Sequence, residues 1–163
     1  MFQAILMAAA LAAAAPENPS LTHPGEEAVD PYTQSNANAA ATPFAGQAMW
    51  TAFHGQAGVA RVVDDLVDRS LADPRIREIF EAHDMVRLRR MLKEQFCYIL
   101  NGGCDYTGRD MTAVHKDLGV QNTDFNILVE HLQAAMDHEK IPFRDQNRFL
   151  AKLAPMQRQA VER

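Results

Sequence analysis

Apolar residues recur three and four positions apart from about Met49 to the end of this chain, and that spacing is typical of amphipathic helices. No stretch alternates apolar and polar residues for long enough to indicate a strand. The spacing therefore predicts an all-α domain over residues 49–163. The first long helix shows it most clearly, with apolar residues at Val59, Val62, Val63, Leu66 and Val67.

Helix-stopping residues mark the ends of the first two long helices. Asp73-Pro74 ends the first long helix, and a short helical turn is expected over residues 76–80. The next helix runs from about Asp84 to Leu100. Asn101-Gly102-Gly103 follows it, and these residues allow the positive φ angles that a chain reversal needs.

Two further helices are predicted after a short one that carries His115. Asn122 or Thr123 can cap the first of them, because both side chains accept hydrogen bonds from free backbone N–H groups. Pro142 opens the last helix, where its missing N–H costs nothing. The apolar positions of these two helices are Phe125, Leu128, Val129, Leu132, Ala135 and Met136, then Phe143, Phe149, Leu150 and Leu153.

Length and composition indicate one globular domain. The chain has 163 residues, of which 47% are hydrophobic, and this is enough for a single core. The formal net charge is -5, and no basic stripe is interleaved with aromatic residues. A nucleic-acid partner is therefore not expected.

The first fifteen residues, Met1 to Ala15, are apolar and alanine-rich. Such a run is short for a bilayer span but suits the apolar core of a secretory signal that is removed at an A-x-A-like site. No Lys or Arg precedes it, so a membrane tether or a misplaced start is the alternative. We expect export, to the periplasm if the source is bacterial, and no stable membrane span in the mature protein. A cytoplasmic location is the second interpretation.

Residues 16–48 are rich in Pro, Asn, Ala, Ser and Thr and show no sustained periodicity. A segment of this composition buries too little apolar surface to offset a backbone entropy of roughly 1 to 2 kcal/mol per residue. The composition therefore predicts a disordered linker.

Cys97 and Cys104 flank the predicted helix end and its glycines. The chain reversal can bring their Cα atoms to about 6 Å, which suits a disulfide. Such a bridge requires an oxidising compartment. Two reduced, buried cysteines are the alternative, and a c-type heme attachment is not expected because no C-x-x-C-H is present.

His115 lies among apolar side chains, on a short helix just after the glycine-containing loop of residues 102–108. Taken alone, such a histidine is a hydrogen-bonded core residue more often than a ligand. On a short helix between two longer apolar-striped helices, however, an imidazole can present its Nε2 to a flat metallocofactor such as heme.

The helix before that loop also suits heme. Its apolar side can cover a macrocycle, and its basic residues can meet the propionates, although a solvated helix face is the alternative for some of them. The apolar residues are Leu88, Met91, Leu92 and Phe96, and the basic ones are Arg87, Arg89, Arg90 and Lys93.

A series of short motifs runs in order through residues 53–161: Val62-Val63-Asp64-Asp65, Leu71-Ala72-Asp73, Ile79-Phe80, Asp84-Met85, Gly102-Gly103, residues 106–111, His115 with Leu118-Gly119-Val120, Asp124-Phe125, His131-Leu132 and residues 153–156. In this order and spacing they resemble the truncated hemoglobins of group I. The resemblance implies a two-over-two helical sandwich around heme.

The resemblance also implies roles for individual residues. His115 would be the proximal ligand of one heme b per chain, and Phe80 would pack on the macrocycle near its distal side. Distal contacts are expected from Leu88, Met91 and Leu92. The other expected cofactor contacts are Tyr106, Met111, Val114, Leu118, Val120 and Phe125.

The distal positions depart from the family pattern. Val67 falls where the family often has a tyrosine, and no glutamine stands at Leu88 or Leu92. A hydrogen-bond donor stabilises bound dioxygen by about 1 to 3 kcal/mol. We therefore expect fast oxygen release, easy autoxidation and ready binding of carbon monoxide or nitric oxide. The glycine motif that opens the family domain is replaced here by His54-Gly55.

The expected function is reversible binding of oxygen or another diatomic gas. Nitric oxide dioxygenation is expected as a further activity, and it would need an unknown reductase. The alternative is a heme redox protein: an electron carrier in which Met91 opposes His115, or a weak peroxidase. His83 is another possible sixth ligand, although a position in solvent is expected for it. A helical domain without a cofactor is the third interpretation.

Overall fold

Helices account for all regular elements of the computed structural model over residues 22–162, the part of the chain that it describes. The α-helices are α1 (Ala48–Ala52), α2 (Gly55–Ala72), α3 (Arg77–Glu81), α4 (Met85–Ile99), α5 (Met111–His115), α6 (Asn122–His138), α7 (Phe143–Leu153) and α8 (Gln157–Ala160). Short 3₁₀ turns occupy Asn36–Ala39 and Ala154–Met156. The all-α prediction is confirmed.

Helix α2 lies at the centre and packs on both α4 and α6, while α7 packs on α6. Its predicted apolar positions, from Val59 to Val67, are at most 3% exposed. The ring of Phe149 closes the core, with its centroid 5.0 Å from that of Phe53 and 4.8 Å from that of Phe96 in edge-to-face contacts. Phe143, at the start of the same helix as Phe149, is 70% exposed and does not join this core.

Capping residues set the two ends of α4. Asp84 precedes the helix, and its Oδ1 accepts a hydrogen bond of 3.0 Å from the backbone N of Arg87. After the helix, Asn101 has a φ of +63°, as predicted for a chain reversal. Gly102 is required by close approach, because a Cβ there would lie 2.5 Å from the Trp50 ring and 2.7 Å from Cys97 Sγ.

The reversal after α4 brings the two cysteines together. Cys97 and Cys104 are joined by a disulfide in the structure, with their Cα atoms 5.7 Å apart. This separation agrees with the distance expected from the helix end and the glycines.

Two short-range features position α5 and α6. Asp110 caps α5 by accepting a hydrogen bond of 2.9 Å from the N–H of Ala113. The cap of α6 is Gln121, one residue before the positions expected, and its N–H donates to Asp124 Oδ2 over 2.9 Å. Asn122 is already the first helical residue, so the expectation that it or Thr123 caps the helix is wrong.

Residues 22–47 differ from the disordered linker that their composition predicts, because they lie against the helices. Ala39 is fully buried in the core, and the N–H of Phe44 donates to the carbonyl of Ile99 over 2.8 Å. Composition does not reveal these contacts, since the partners that compensate the lost entropy belong to the helical domain. The predicted signal segment and residues 16–21 lie outside the described residues. Within residues 22–162, no helix is long and apolar enough to cross a membrane.

Candidate cofactor-binding cavity

A cavity of about 490 Å³ opens between α3, α4, α5 and α6. This volume falls within the range of about 300 to 1,000 Å³ that is usual for small-molecule and cofactor sites. Its walls are mainly apolar, with a few charged side chains.

Most of the predicted site residues meet in this cavity. His115 lines it, together with nine of the ten predicted cofactor contacts: Phe80, Leu88, Met91, Leu92, Tyr106, Val114, Leu118, Val120 and Phe125. Met111 is the exception. Its side chain is 7% exposed and belongs to the hydrophobic core, where its Sδ lies 3.6 Å from Gln95 Nε2.

The imidazole of His115 is oriented by the backbone of its own helix. Nδ1 lies 2.8 Å from the carbonyl oxygen of Met111, four residues earlier. Because a carbonyl can only accept, Nδ1 carries a hydrogen, and in the neutral imidazole the lone pair is then on Nε2. A hydrogen bond of this kind fixes the tautomer and ring orientation of metal-binding histidines. Met111 therefore contributes its carbonyl to the site rather than the side-chain contact expected for it.

The wall formed by α4 and α2 is apolar. Leu88, Met91 and Leu92 come from α4, and Leu66 joins them from α2. Val67, expected here, is instead 1% exposed within the core. Neighbouring helix positions point about 100° apart, so a difference of one residue decides which side chain reaches the cavity. None of these four side chains carries a hydrogen-bond donor.

Only one of the four basic residues expected beside the cofactor lines the cavity, namely Arg87. The other three form ion pairs with carboxylates and do not line the cavity. Arg89 pairs with Asp64 and Asp68, Lys93 pairs with Asp64, and Arg90 pairs with Glu26 and Glu94.

Two cations that sequence reasoning did not place in the site, Arg109 and Lys116, line the cavity as well. Arg109 belongs to the motif of residues 106–111, and Lys116 follows His115 directly, so both stood within segments already singled out.

Other lining residues were missed in different ways. Ile76, Ile79 and Leu128 line the cavity, whereas the sequence predicts only helical positions for them. Glu27, Ala28 and Val29 belong to the predicted linker, and nothing in the local pattern indicates that they reach the cavity. His83 lines the cavity and is also exposed, in keeping with the solvent position expected for it.

Tyr106 contributes a ring to the wall, and its hydroxyl group has a structural partner. The side chain is nearly buried, and the hydroxyl donates to the carbonyl of Arg109 over 3.1 Å. Desolvation raises the pKa of Tyr106 well above its usual range, with the nearby Tyr32 and Glu94 adding to the effect. The hydroxyl is therefore neutral at ordinary pH.

The family model for bacterial-like globins matches residues 48–162, which contain α1 to α8. The chain belongs to the bacterial-like globin family. This globin is 30% identical over 102 residues to the Group 1 truncated hemoglobin GlbN of a Nostoc species, covering 63% of this chain and 86% of that protein. It is 29% identical over 102 residues to GlbN of Mycolicibacterium paratuberculosis, covering 63% and 75%. The predicted resemblance to group I is confirmed.

Solved structures share the fold of this globin. The truncated hemoglobin of Tetrahymena pyriformis in its Fe(III) form matches with a TM-score of 0.67 at 21% identity, over 71% of this chain and 98% of that one. The 2/2 hemoglobin of Synechococcus sp. PCC 7002, in the cyanomet state with covalently attached heme, gives a TM-score of 0.66 with the same identity and coverage. The two-over-two architecture is therefore confirmed for this globin.

Proposed function

We propose that this globin binds one heme b in the cavity between α3, α4, α5 and α6 and reversibly binds a diatomic gas there. The observation that carries the proposal is the placement of His115, which lines the cavity with Nδ1 bonded to the Met111 carbonyl and Nε2 available. His115 would hold the iron of a bound heme, and that iron would supply the affinity for a diatomic gas.

The residues present fit that group. One imidazole is enough, because the macrocycle provides the in-plane nitrogens itself. The apolar side chains of α3, α4 and α6 suit the faces of the macrocycle, and Arg87, Arg109 and Lys116 can meet its carboxylates.

The choice of gas follows from the apolar wall. Leu66, Leu88, Met91 and Leu92 offer no donor to a gas that gains negative charge. Oxygen would therefore be released fast, while carbon monoxide and nitric oxide, which depend less on a donor, would bind readily.

Absorption spectra of the purified protein with added hemin test the proposal. We expect saturation at one hemin per chain and distinct ferric, ferrous and carbonyl spectra. His115→Ala should lose the histidine-ligated spectrum. His83→Ala, which alters the other cavity-lining histidine, and His138→Ala, on the exposed end of α6, should keep it. A variant lacking His115 that keeps the wild-type spectra would refute the proposed ligand.

A redox role is the second candidate, because Met91 lines the same cavity as His115. A thioether on the iron would raise its reduction potential and exclude gas. A ferrous spectrum without gas separates the two functions. Five-coordinate iron supports gas binding, whereas six-coordinate iron that becomes five-coordinate in Met91→Leu supports the electron carrier.

Nitric oxide dioxygenation, which joins nitric oxide and dioxygen into nitrate, is a finer proposal for the same cavity. It needs electrons from a reductase whose identity is unknown. Nitrate formation by the ferrous, oxygenated protein on addition of nitric oxide would support it, and release of the two gases unchanged would refute it.

We also propose export to an oxidising compartment, which the Cys97–Cys104 disulfide supports. Cell fractionation and the N-terminal mass of the native protein test this. A protein that keeps its first fifteen residues and stays in the cytoplasm would refute it.

A further inference from the structure

The segment Glu26–Tyr32, called the strap below, joins two walls of the cavity although it lies outside the residues that the globin family model matches. Three of its residues, Glu27, Ala28 and Val29, line the cavity directly. The strap therefore adds a wall that the matched residues 48–162 do not supply.

The first end of the strap is attached to α4. The side chain of Glu26 is fully shielded from solvent, and its carboxylate accepts from Arg90 Nε, from Arg90 Nη2 at 2.8 Å and from Arg87 Nη1 at 3.2 Å. The hydrogen bonds from Arg90 are the main reason that the pKa of Glu26 falls to about 2. The N–H of Glu27 also donates to Asp84 Oδ2 over 2.8 Å, so the strap is bonded to the residue that caps α4.

The second end is attached to the loop that precedes the helix of His115. The Tyr32 hydroxyl donates to the carbonyl of Thr107 over 2.7 Å, and Arg109 Nη2 donates to the carbonyl of Asp30 over 3.0 Å. The guanidinium of Arg109 lies 5.2 Å from the centroid of the Tyr32 ring, a distance typical of a cation–π contact.

Arg87 connects the two ends. It donates to Glu26 through Nη1 and to the Tyr32 hydroxyl through Nη2, the latter over 2.7 Å, and it also lines the cavity. A change at either end of the strap therefore alters the orientation of a cation that faces the cavity.

We propose that the strap is part of the heme site and retains the cofactor by closing one side of the cavity between α4 and the loop before α5. This inference rests on the proposed function. For heme to leave past the strap, at least one attached end must open, and opening at Glu26 separates a shielded carboxylate from its arginines. Such a separation breaks several hydrogen bonds between charged groups, which are stronger than hydrogen bonds between neutral groups. The strap therefore slows heme release without supplying a ligand.

Transfer of hemin from the full-length protein to an excess of a spectrally distinct apo-globin measures this retention. We expect Glu26→Gln to release hemin about tenfold faster than wild type, and Tyr32→Phe several-fold faster. Glu130→Gln removes an exposed carboxylate from α6, and Tyr98→Phe removes a hydroxyl from a side of α4 that does not line the cavity. Both controls should match wild type.

Hydrogen exchange in the hemin-free protein gives a readout that is independent of the cofactor. Backbone amides of the strap should exchange faster in Glu26→Gln, while those of α6 stay unchanged. Faster exchange throughout the chain would mean that Glu26 only stabilises the fold, and it would overturn the inference. Equal hemin release from wild type and both strap variants would overturn it as well, with the proposed function intact. A wild-type protein that binds no hemin would instead refute the proposed function, and the inference with it.

Discussion

At the scale of single residues, the apolar wall in the cavity of His115 determines how fast bound oxygen is released. Leu88 and Leu92 both line this wall, as the sequence predicts, and Leu66 takes the place expected for Val67. The exchange keeps the wall free of donors, because leucine and valine are equally unable to donate. The sequence places Val67 rather than Leu66 on this wall, but the expectation that the wall has no hydrogen-bond donor is the same for both residues.

Leu88→Gln should slow oxygen release, because it places a donor on the wall that has none. A donor worth about 1 to 3 kcal/mol corresponds to a decrease of about fivefold to somewhat over a hundredfold in the rate. Stopped-flow mixing of the oxygenated protein with carbon monoxide measures it. Leu88→Met, which keeps the size without a donor, should release oxygen as fast as wild type. A slow wild-type rate that Leu88→Gln leaves unchanged would contradict this expectation.

At the scale of the helices, one carboxylate joins the end of α6 to the start of α2. Glu139, 11% exposed, accepts from Arg61 Nη2 at 2.6 Å and lies 2.8 Å from His54 Nδ1. The hydrogen bond from Arg61 is the main reason that the pKa of Glu139 falls to about 2. Since α2 packs on α6, this link stabilises their relative position.

Glu139→Gln should lower the free energy of unfolding at pH 7 by about 1 to 2 kcal/mol. The carboxyl titrates lower in the folded chain than in the unfolded one, so its contribution is complete above about pH 4.5 and is lost as the pH falls toward about 2. Urea unfolding across this range should show wild type and variant converging. Glu130→Gln, on the exposed face of α6, is the control. A constant difference between wild type and Glu139→Gln at every pH would contradict the assigned cause.

At the scale of the whole molecule, a bond between two residues changes the stability of the entire chain by restricting its unfolded state. The Cys97–Cys104 disulfide closes a loop over a sequence separation of seven and fastens the loop before α5 to the end of α4. In the chain-entropy model, a loop of this size contributes roughly 2 to 3 kcal/mol. It acts alongside the strap, which holds the same loop to the start of α4.

Cys97→Ala combined with Cys104→Ser should therefore lower the free energy of unfolding by roughly 2 to 3 kcal/mol. Denaturant unfolding with and without a thiol reductant measures the effect. The reductant should bring wild type to the level of the double variant and leave the variant unchanged. An unfolding curve of wild type that the reductant does not shift would contradict the disulfide.

The helices were predictable because their signals are local, whereas the prediction that His115 is a ligand depended on the resemblance to the group I truncated hemoglobins. Apolar spacing, Asp73-Pro74 and Asn101-Gly102-Gly103 each act within one or two helical turns. The hydrogen bond from His115 to the carbonyl of Met111 spans four residues and is equally local. Six of the nine expected contacts that line the cavity lie on helices whose phase is set in the same way, whereas Tyr106, Leu118 and Val120 reach it from loops.

The remaining features depend on distant parts of the chain. Glu26 lies 64 residues from Arg90, and Tyr32 lies 75 residues from Thr107, so no window of sequence contains both partners. The basic residues of α4 look alike in the sequence. Only the tertiary structure shows that Arg87 lines the cavity while it pairs with Glu26, and that Arg89, Arg90 and Lys93 pair with carboxylates without lining the cavity.

The sequence by itself determined the helical domain, because helix periodicity and end signals operate over a few residues, and the order of its motifs, through the family resemblance, singled out His115. Tertiary structure decided that Leu66 rather than Val67 lines the cavity, and which cations line it. It also decided that residues 22–47 lie against the helices. These outcomes depend on where other helices and loops place their surfaces and charges, and packing sets those positions over the whole chain.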